Sequence, residues 1–485
     1  MSRGGATPRG SPRIAYGDRW LEDFLPPEVL ETGRLLPLRP PVAVPPLADV
    51  AGALVDSLER SATPELVPSL REWIGRPYAG GGVVVIVDDY TRPCAHQRQL
   101  LPGLLAWLAT QGVKREAIEM IIATATHRDP RPDEYPHMFG EVWPAWRDRI
   151  VPHPDGEDLV RLGTMPDGTP IELNGRAARA RIIVSLSDLD YHYFAGVSGG
   201  PKHLVPGIAG RALTTADHLR MFGPRGFAQN VEMGVLEGNP VYEFKRVAVQ
   251  QILAALAERS TFVYGVVSVL NPHGQIVALE GGDLITLHRK LRHVLDEVYV
   301  AEIPRLADVA IVAAKHLGLN VYQAGKAINA AARAVRSGGT IVCVAPCSDG
   351  FGNDEFRNLM GLAAPILHGA EAKIGGGSDP TNEGNAAIDA ALEAVQAAVV
   401  KDFRIGKQKP VDLLVRYRHT GWGNLCLLAD GLTDADRALL PFRYVGTSGE
   451  DPGRRLREWV AARERDSAAT YVVIDDPTYL VRVRG

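Results

Sequence analysis

The chain has 485 residues, which is too long for one ordinary hydrophobic core, so we expect two domains. Hydrophobic residues make up 46% of the chain and the formal net charge is −4, which is typical of a globular protein. This balance, with no basic stripe, argues against nucleic-acid binding. The longest apolar runs, such as Val83–Val87, are far too short to span a bilayer.

Two further features concern the compartment. The N-terminal segment carries positive charges without an apolar core after them, so no secretory signal is expected. The four cysteines form no C-x-x-C pair and predict neither a disulfide framework nor a cysteine metal site. We therefore expect a protein of the cytoplasm.

Apolar runs alternate with helix-like segments along the first part of the chain. Strands are predicted at 83–87, 119–124, 180–188 and 261–270, and helices at 100–111 and 241–258. This rhythm favours an α/β fold in which helices cover a mostly parallel sheet. A charged amphipathic helix is predicted at 287–302, and we expect it to be the hinge between two domains.

The same rhythm restarts after this helix. Strands are predicted at 307–315, 338–346, 412–419 and 425–429, and helices at 323–335 and 452–465. Residues 375–380 read as a surface loop without the ending of a phosphate-binding P-loop. We expect one domain over 1–290, a second over 300–469, and a terminal strand over 470–485 that completes the second sheet or returns to the first domain.

One glycine-rich turn collects reactive side chains. His192, Lys202 and His218 surround the segment that contains Gly199 and Gly200. Imidazole serves as a proton acceptor or a metal ligand, lysine serves as a nucleophile or an anchor for an adduct, and glycine lets the backbone approach a ligand closely. This combination predicts a bound cofactor.

His127 forms a second candidate site, because it follows the buried strand predicted at 119–124. Open α/β sheets place ligand-binding residues at such carboxyl ends. No G-x-G-x-x-G follows an early strand in either half, which weighs against an ordinary dinucleotide-binding domain.

Four motifs together resemble those of the nickel-dependent lactate racemase family, whose members are racemases and epimerases of 2-hydroxy acids. The D-x-T-R-P motif corresponds to Asp89–Pro93 and A-T-G-T-H-R-P to Ala123–Asp129. The H-F-F-A-G-Y-S-G-G-P-K motif corresponds to His192–Lys202, with His218 further on, and Y-Q-x-x-K to Tyr322–Lys326. The resemblance extends from about Arg13 to the C-terminus.

This resemblance implies two α/β domains with the active site in the cleft between them. It also implies a nickel-pincer nucleotide, a pyridinium mononucleotide with two sulfur-bearing arms, which enzymes of cofactor biosynthesis must supply. Lys202 would hold it through a thioamide and His218 would bind the nickel, a metal that imidazole suits. Ser198, Gly199 and Gly200 would contact the cofactor.

The resemblance also assigns roles around the substrate. Hydride removal gives a flat 2-keto acid that takes the hydride back on either face, so two bases must handle the hydroxyl proton. His127 and His192 would be these bases. The substrate site would be formed by Asp89, Arg92, Tyr322, Gln323 and Lys326, among which the cations bind the carboxylate. An ion pair of Arg92 with Asp89 is the structural alternative for that arginine.

Some positions depart from the family pattern. Ala125 replaces the motif glycine, Asp129 replaces the proline, and His203 follows the anchoring lysine. Basic groups at His203, Lys315 and His316 would suit a second carboxylate, so a dicarboxylate such as malate is favoured over lactate, although surface substitutions are an equal explanation.

Two other functional classes remain open from the residues alone. One is a nicotinamide-dependent 2-hydroxyacid dehydrogenase, which would leave the missing glycine fingerprint unexplained. The other is a non-catalytic two-domain binding protein, which would leave the reactive lysine and the two histidines unexplained. Bound nickel would separate the racemase from both.

Overall fold

The computed structural model describes residues 11–75, 80–154, 156–374 and 382–484. The chain divides into two compact units, which are described separately. One, called the inner unit because it comes from the middle of the sequence, comprises Val42–Gly223 and Ala228–Val298. The other, the outer unit, combines the described residues up to Pro41 with Pro224–Phe227 and the described residues from Tyr299 onward. Within the described residues, no helix is both long enough and apolar enough to cross a bilayer.

A six-stranded sheet forms the centre of the inner unit. Its strands in spatial order are Ile276–Gly282, Phe262–Leu270, Ile182–Leu189, Val83–Val87, Ile118–Ile122 and Ile150–Pro152. All neighbours are parallel except the first pair, which is an antiparallel hairpin. The α/β prediction with a mostly parallel sheet is therefore confirmed.

Both faces of this sheet are buried, as a parallel sheet requires. Val83, Val85 and Val87 lie in one hydrophobic cluster, and the alternate residues Val84 and Ile86 lie in the other. The helices of the inner unit are Val50–Glu59, Leu70–Gly75, Ala95–Thr110, Glu134–Phe139, Trp143–Trp146, Gly175–Ala178, Arg211–Leu219, Pro240–Glu258, Leu284–Lys290 and Arg292–Tyr299. Short antiparallel pairs join Leu159–Thr164 to Pro170–Asn174 and Tyr191–His192 to Gly196–Val197.

The outer unit contains a five-stranded, fully parallel sheet. Its strands in spatial order are Arg443–Tyr444, Leu425–Leu428, Val335–Val344, Ala307–Ala313 and Tyr471–Ile474. Its helices are Pro27–Glu31, Val321–Ala332, Asp354–Ile374, Glu383–Lys401, Lys409–Thr420, Asp434–Arg437 and Pro452–Asp466. Two small pairs complete it, Val300–Ile303 with Leu480–Val483 and Ile14–Tyr16 with Arg19–Leu21.

The beginning and the end of the chain pair within the outer unit. The amide of Leu36 donates to the carbonyl of Tyr471, whose own amide donates to the carbonyl of Arg34. This pairing explains why the described residues up to Pro41 group with the outer unit, whereas we expected them in a first domain over 1–290. In place of one terminal strand over 470–485, Tyr471–Ile474 joins the five-stranded sheet and Leu480–Val483 pairs with Val300–Ile303.

Three segments differ from their predicted secondary structure or lie outside the described residues. The strand predicted at 412–419 is wrong: Lys409–Thr420 is a helix, because Val411, Leu414 and Tyr417 recur at helical spacing and are buried. The amphipathic segment at 287–302 is two helices followed by the strand Val300–Ile303, and the boundary between the units falls at Val298. The loop at 375–380 lies outside the described residues.

Candidate functional site

The loop after strand Val83–Val87 is a tight polar turn. Asp89 Oδ1 accepts hydrogen bonds from the Thr91 hydroxyl (2.6 Å) and the Thr91 amide (3.2 Å), which fixes the carboxylate against its own backbone. Arg92 Nη1 lies 3.3 Å from Asp190 Oδ2, so its ion pair is with Asp190 and not with Asp89. Burial opposes the charge of Arg92, but Asp190 and three neighbouring aspartates raise its pKa, so the guanidinium stays charged.

His127 is oriented by a carboxylate. Its Nδ1 lies 2.5 Å from Asp89 Oδ2, and Asp89 is buried while the histidine side chain is 29% exposed. Because a carboxylate only accepts, Nδ1–H is the donor and Nε2 carries the lone pair. Asp89, which we expected at the substrate, therefore orients the ring of His127 and leaves Nε2 as its acceptor nitrogen.

The backbone before His127 is strained. Ala125 has a φ of +51°, the left-handed region that glycine occupies without cost. Its amide donates to the carbonyl of Gly207 (2.9 Å), and the His127 amide donates to Thr124 (2.8 Å), so the turn is held from both sides. The alanine that departs from the family motif thus occupies a position where a Cβ is unfavourable.

The glycine-rich turn is packed against the end of strand Ile182–Leu189. Gly199 has a φ of +78°, and a Cβ there would lie 2.1 Å from the carbonyl oxygen of Asp188. The Ser198 hydroxyl donates to the carbonyl of Asp190 (3.1 Å), and the Gly200 amide donates to Ser187 Oγ (2.9 Å). These three residues therefore shape the turn, whatever else they contact.

His192 is surrounded by cations. Burial, together with the positive charges of Lys202 and Arg92, lowers its pKa well below the ordinary value. Its Nδ1 accepts from the amide of Ala195 (3.3 Å), and its ring meets Phe194 edge to face at 4.4 Å. The imidazole is accordingly neutral at physiological pH and is available as a base.

Lys202 lies in the short helical turn Gly200–His203. Burial lowers its pKa well below 10.5, and the charges of Arg92 and Lys245 act in the same direction. A neutral amine is the nucleophilic form of lysine. The lowered pKa of the side chain that we expected to anchor a cofactor favours the form that acylation requires.

His218 is buried near the end of helix Arg211–Leu219. Its Nδ1–H donates to the carbonyl of Thr214 (2.7 Å), so Nε2 is the acceptor nitrogen. Burial lowers its pKa to about 4. A neutral imidazole whose tautomer is fixed by a backbone carbonyl is the usual form of a histidine metal ligand.

A buried ion pair lies beside His218 and was not anticipated. Lys245 Nζ is 3.0 and 3.2 Å from the two carboxylate oxygens of Asp217, and both side chains are about 95% buried or more. Lys245 also lowers the pKa of Lys202 and His192. The available signal was a lysine on the apolar face of helix Pro240–Glu258, between Val241 and Val249.

Phe194 is a second residue that was not anticipated. Its fully buried ring contacts His192 and also meets the ring of His218 at 5.5 Å. It therefore joins the expected base to the expected metal ligand by apolar packing. The motif contained this phenylalanine, but nothing in its spacing distinguished it from an ordinary core residue.

His203 does not have the role expected of it. It is buried, its Nε2–H donates to Asp88 Oδ1 (2.9 Å), and the Ser185 hydroxyl contacts its Nδ1 (3.0 Å). Both ring nitrogens are thus engaged inside the inner unit, and His203 is removed from the groups available to a second substrate carboxylate. Lys315, in the outer unit, lies 3.4 Å from Asp476, and this pairing weakens the same argument.

The remaining expected residues belong to the outer unit. Tyr322, Gln323 and Lys326 lie in the first turns of helix Val321–Ala332, whose N-cap Asn320 accepts from the Gln323 amide (3.0 Å). Gln323 and Lys326 are three residues apart and share a helix face. The Tyr322 ring contacts Phe356 and lies 5.9 Å from Lys409 Nζ.

The fold places the chain in a class of two-domain α/β proteins that includes solved structures. The lactate racemase apoprotein from Thermoanaerobacterium thermosaccharolyticum matches with a TM-score of 0.72 at 22% identity, covering 98% of this chain and all of that one. A protein from Thermotoga maritima matches with a TM-score of 0.57 at 16% identity, over 86% and 96% of the two chains. At these identities the likeness concerns the fold alone.

Sequence comparison identifies the family. The lactate racemase N-terminal domain matches residues 39–229 and the lactate racemase C-terminal domain matches residues 304–367. The lactate racemase of T. thermosaccharolyticum is 31% identical over 282 residues, 56% of this chain and 62% of that protein. That of Lactiplantibacillus plantarum is 30% identical over 292 residues, 58% and 64%. The chain belongs to the lactate racemase family, and the alignments span just under two thirds of these relatives.

Proposed function

We propose that the protein is an isomerase that racemises or epimerises a 2-hydroxy acid with a covalently attached nickel-pincer nucleotide. The observation that carries this proposal is the setting of Lys202. Burial and the charges of Arg92 and Lys245 lower the pKa of its amine, and the charged form of that amine lowers the pKa of both His192 and His218. An anchor, a base and a metal ligand therefore occupy one electrostatic neighbourhood.

The donor set fits the proposed group. The amine of Lys202, whose pKa burial lowers, suits an amide-type bond to a carboxyl or thiocarboxyl arm, and the acceptor nitrogen of His218 suits nickel. When bound, such a nucleotide supplies an electron-poor ring that takes a hydride from the substrate α-carbon and returns it. Loading would require the enzymes that make the nucleotide.

The residues of the chain would then manage charge and protons. Arg92, which remains cationic, would bind the substrate carboxylate together with Gln323 and Lys326. His127, oriented by Asp89, and His192, kept neutral by its surroundings, would remove and return the hydroxyl proton. The proposal needs both histidines because inversion exposes the substrate on two faces.

Peptide mass spectrometry tests the attachment. Protein produced together with the cofactor-biosynthesis enzymes should carry an adduct on Lys202 and about one nickel per chain. Lys202→Ala should lose adduct and activity, whereas the exposed-lysine control Lys114→Ala should keep both. His218→Ala should lower nickel occupancy while Lys202 stays modified. Active enzyme with an unmodified Lys202 would refute the proposal.

The substrate is proposed as a 2-hydroxy acid, with a dicarboxylate such as malate as the finer hypothesis. Of the basic groups that motivated malate, His203 is engaged with Asp88 and Lys315 lies beside Asp476, which leaves His316 as the exposed one. Single-enantiomer lactate and malate, assayed by chiral chromatography, decide the matter. Faster turnover of lactate would reject the dicarboxylate hypothesis and leave the racemase standing.

A further inference from the structure

A buried cluster of three ligand-type side chains lies apart from the residues assigned above. Asp88 follows strand Val83–Val87, Asp188 ends the neighbouring strand Ile182–Leu189, and His96 begins helix Ala95–Thr110. All three are more than nine-tenths buried. One ligand atom of each lies within 4.8 Å of the other two.

The hydrogen bonds leave acceptors without donors. His203 donates to Asp88 Oδ1, but Asp88 Oδ2 has no hydrogen-bond partner among the described residues. Burial lowers the pKa of His96 to about 4, so the ring is neutral. Its Nε2 lies 3.4 Å from the carbonyl of Leu186 and 3.7 Å from Asp88 Oδ2, and because both oxygens accept, the hydrogen belongs on Nε2 and the lone pair on Nδ1. That Nδ1 also has no hydrogen-bond partner among the described residues, and it faces Asp188 Oδ1 at 3.5 Å.

Either a proton or a metal cation could interact with these unpaired acceptor atoms. Burial and the negative charge of Asp88 raise the pKa of Asp188, so a proton on Asp188 is one solution. A proton shared between Asp188 and Asp88 leaves the buried Nδ1 of His96 without a hydrogen-bond donor, which is costly. A divalent cation engages all three acceptors together. The charge of Arg92 acts on Asp188 from a distance, but its guanidinium forms its ion pair with Asp190.

We propose that Asp88, His96 and Asp188 bind a structural zinc ion, separate from the nickel ligand His218. Zinc takes imidazole nitrogen and carboxylate oxygen at about 2.0–2.2 Å, which places neighbouring ligand atoms roughly 3.4 Å apart in a tetrahedral site. The 3.5 Å between His96 Nδ1 and Asp188 Oδ1 already matches that spacing. Two carboxylates neutralise the ion.

The surrounding contacts are those of a supported metal site. His203 donates to the outer oxygen of Asp88 and is itself bonded to Ser185, and the Leu186 carbonyl fixes the tautomer of His96. Such outer contacts orient metal ligands and tune their affinity. The ion would join the ends of two strands beneath the Asp89 turn.

Zinc chloride titration of the full chain tests the site directly. Protein made without the cofactor-biosynthesis enzymes is stripped with a chelator and titrated calorimetrically. We expect one zinc per chain and a higher melting temperature with zinc. The isosteric variant Asp188→Asn should bind zinc about a hundredfold more weakly or worse, and His96→Gln likewise, because the loss of outer contacts alone costs roughly 10–100-fold. His218→Ala should bind zinc as the wild-type chain does.

Each other outcome overturns the proposal. A wild-type chain that binds no zinc would show that protons fill the cluster, and binding lost in His218→Ala or kept in Asp188→Asn would place the ion elsewhere. If the variants do not fold, zinc X-ray absorption of the wild-type protein decides: one imidazole nitrogen with oxygen neighbours supports the site, and sulfur ligation refutes it. None of these outcomes depends on whether the chain is a racemase.

Discussion

His127 and His192 have the same proposed task in opposite electrostatic settings. Both side chains are partly exposed, but His127 is bonded to the carboxylate of Asp89, whereas the positive charges of Lys202, Arg92 and Lys245 lower the pKa of His192. A carboxylate stabilises the imidazolium that a base becomes, and surrounding cations destabilise it. The two proposed bases therefore have similar basicity only if another negative charge stabilises the imidazolium of His192. The carboxylate of a substrate bound near Arg92 would supply such a charge.

Removing either base should have the largest effect. His127→Ala and His192→Ala should each lower racemisation about a hundredfold or more, the usual scale of general acid–base catalysis. Because enantiomers interconvert with an equilibrium constant of one, kcat/KM must fall equally in both directions. Chiral chromatography from each pure enantiomer measures this. The surface variant His137→Ala is the control, and a near-normal rate in either active-site variant would contradict the two-base scheme.

The second prediction concerns the buried ion pair between Lys245 and Asp217, which lies on the His192 side of the comparison. Lys245→Met leaves the buried carboxylate of Asp217 without its partner, which should lower the free energy of unfolding by about 3–5 kcal/mol. The double variant Lys245→Met/Asp217→Leu removes both charges and should recover much of that loss. Urea unfolding of both variants measures the difference. Equal stability of the single and double variants would show that the pair is not coupled.

Asp89→Asn tests the contribution of the carboxylate beside His127. The substitution preserves the side-chain oxygen that Thr91 contacts but removes the negative charge beside His127. Turnover should fall about tenfold to a hundredfold, within the range of a lost charge-assisted hydrogen bond of roughly 1.5–3 kcal/mol. The exposed variant Asp129→Asn should be unaffected. If Asp89→Asn has normal kcat, the carboxylate only shapes the loop.

The smallest effect concerns the backbone before His127. Ala125→Gly relieves the left-handed strain and should raise the free energy of unfolding by about 1 kcal/mol. Thermal or urea unfolding measures the gain, and Ala123→Gly, a position without positive φ, should destabilise or leave stability unchanged. A loss of stability in Ala125→Gly would mean that the turn is rigid for another reason.

Local patterns predicted most of the fold, and their failures have physical causes. The strand Val83–Val87 and the long helix Pro240–Glu258 were predictable because the apolar residues that they bury form a recognisable pattern in the sequence. Residues 412–419 misled because their β-favouring side chains outweighed the helical spacing of the buried ones. The grouping of the N-terminal residues with the last strands depends on hydrogen bonds across more than 400 residues, and no local pattern records them.

The site divides in the same way. His127, His192, Lys202 and His218 were named from motifs, because their chemistry is carried by residue type and order. Their electrostatic surroundings were not predictable. The ion pairs Lys245–Asp217 and Arg92–Asp190 and the hydrogen bond from His203 to Asp88 all join residues that only the folded chain brings together. Sequence thus predicted the reactive groups, and the structure adds the charges that set their protonation.

The pairing of Arg34 and Leu36 with Tyr471 has a consequence for biogenesis. The inner unit is contiguous enough to fold as soon as residues up to about Val298 leave the ribosome, whereas the outer unit must wait for Tyr471–Ile474 to join its sheet. During that interval the apolar residues of the N-terminal segment, such as Phe24 and Val29, lack the part of their core that Tyr471 supplies. Truncation before Tyr471 should therefore leave the Leu36 amide and the Arg34 carbonyl without their partners and expose part of this core, which favours aggregation.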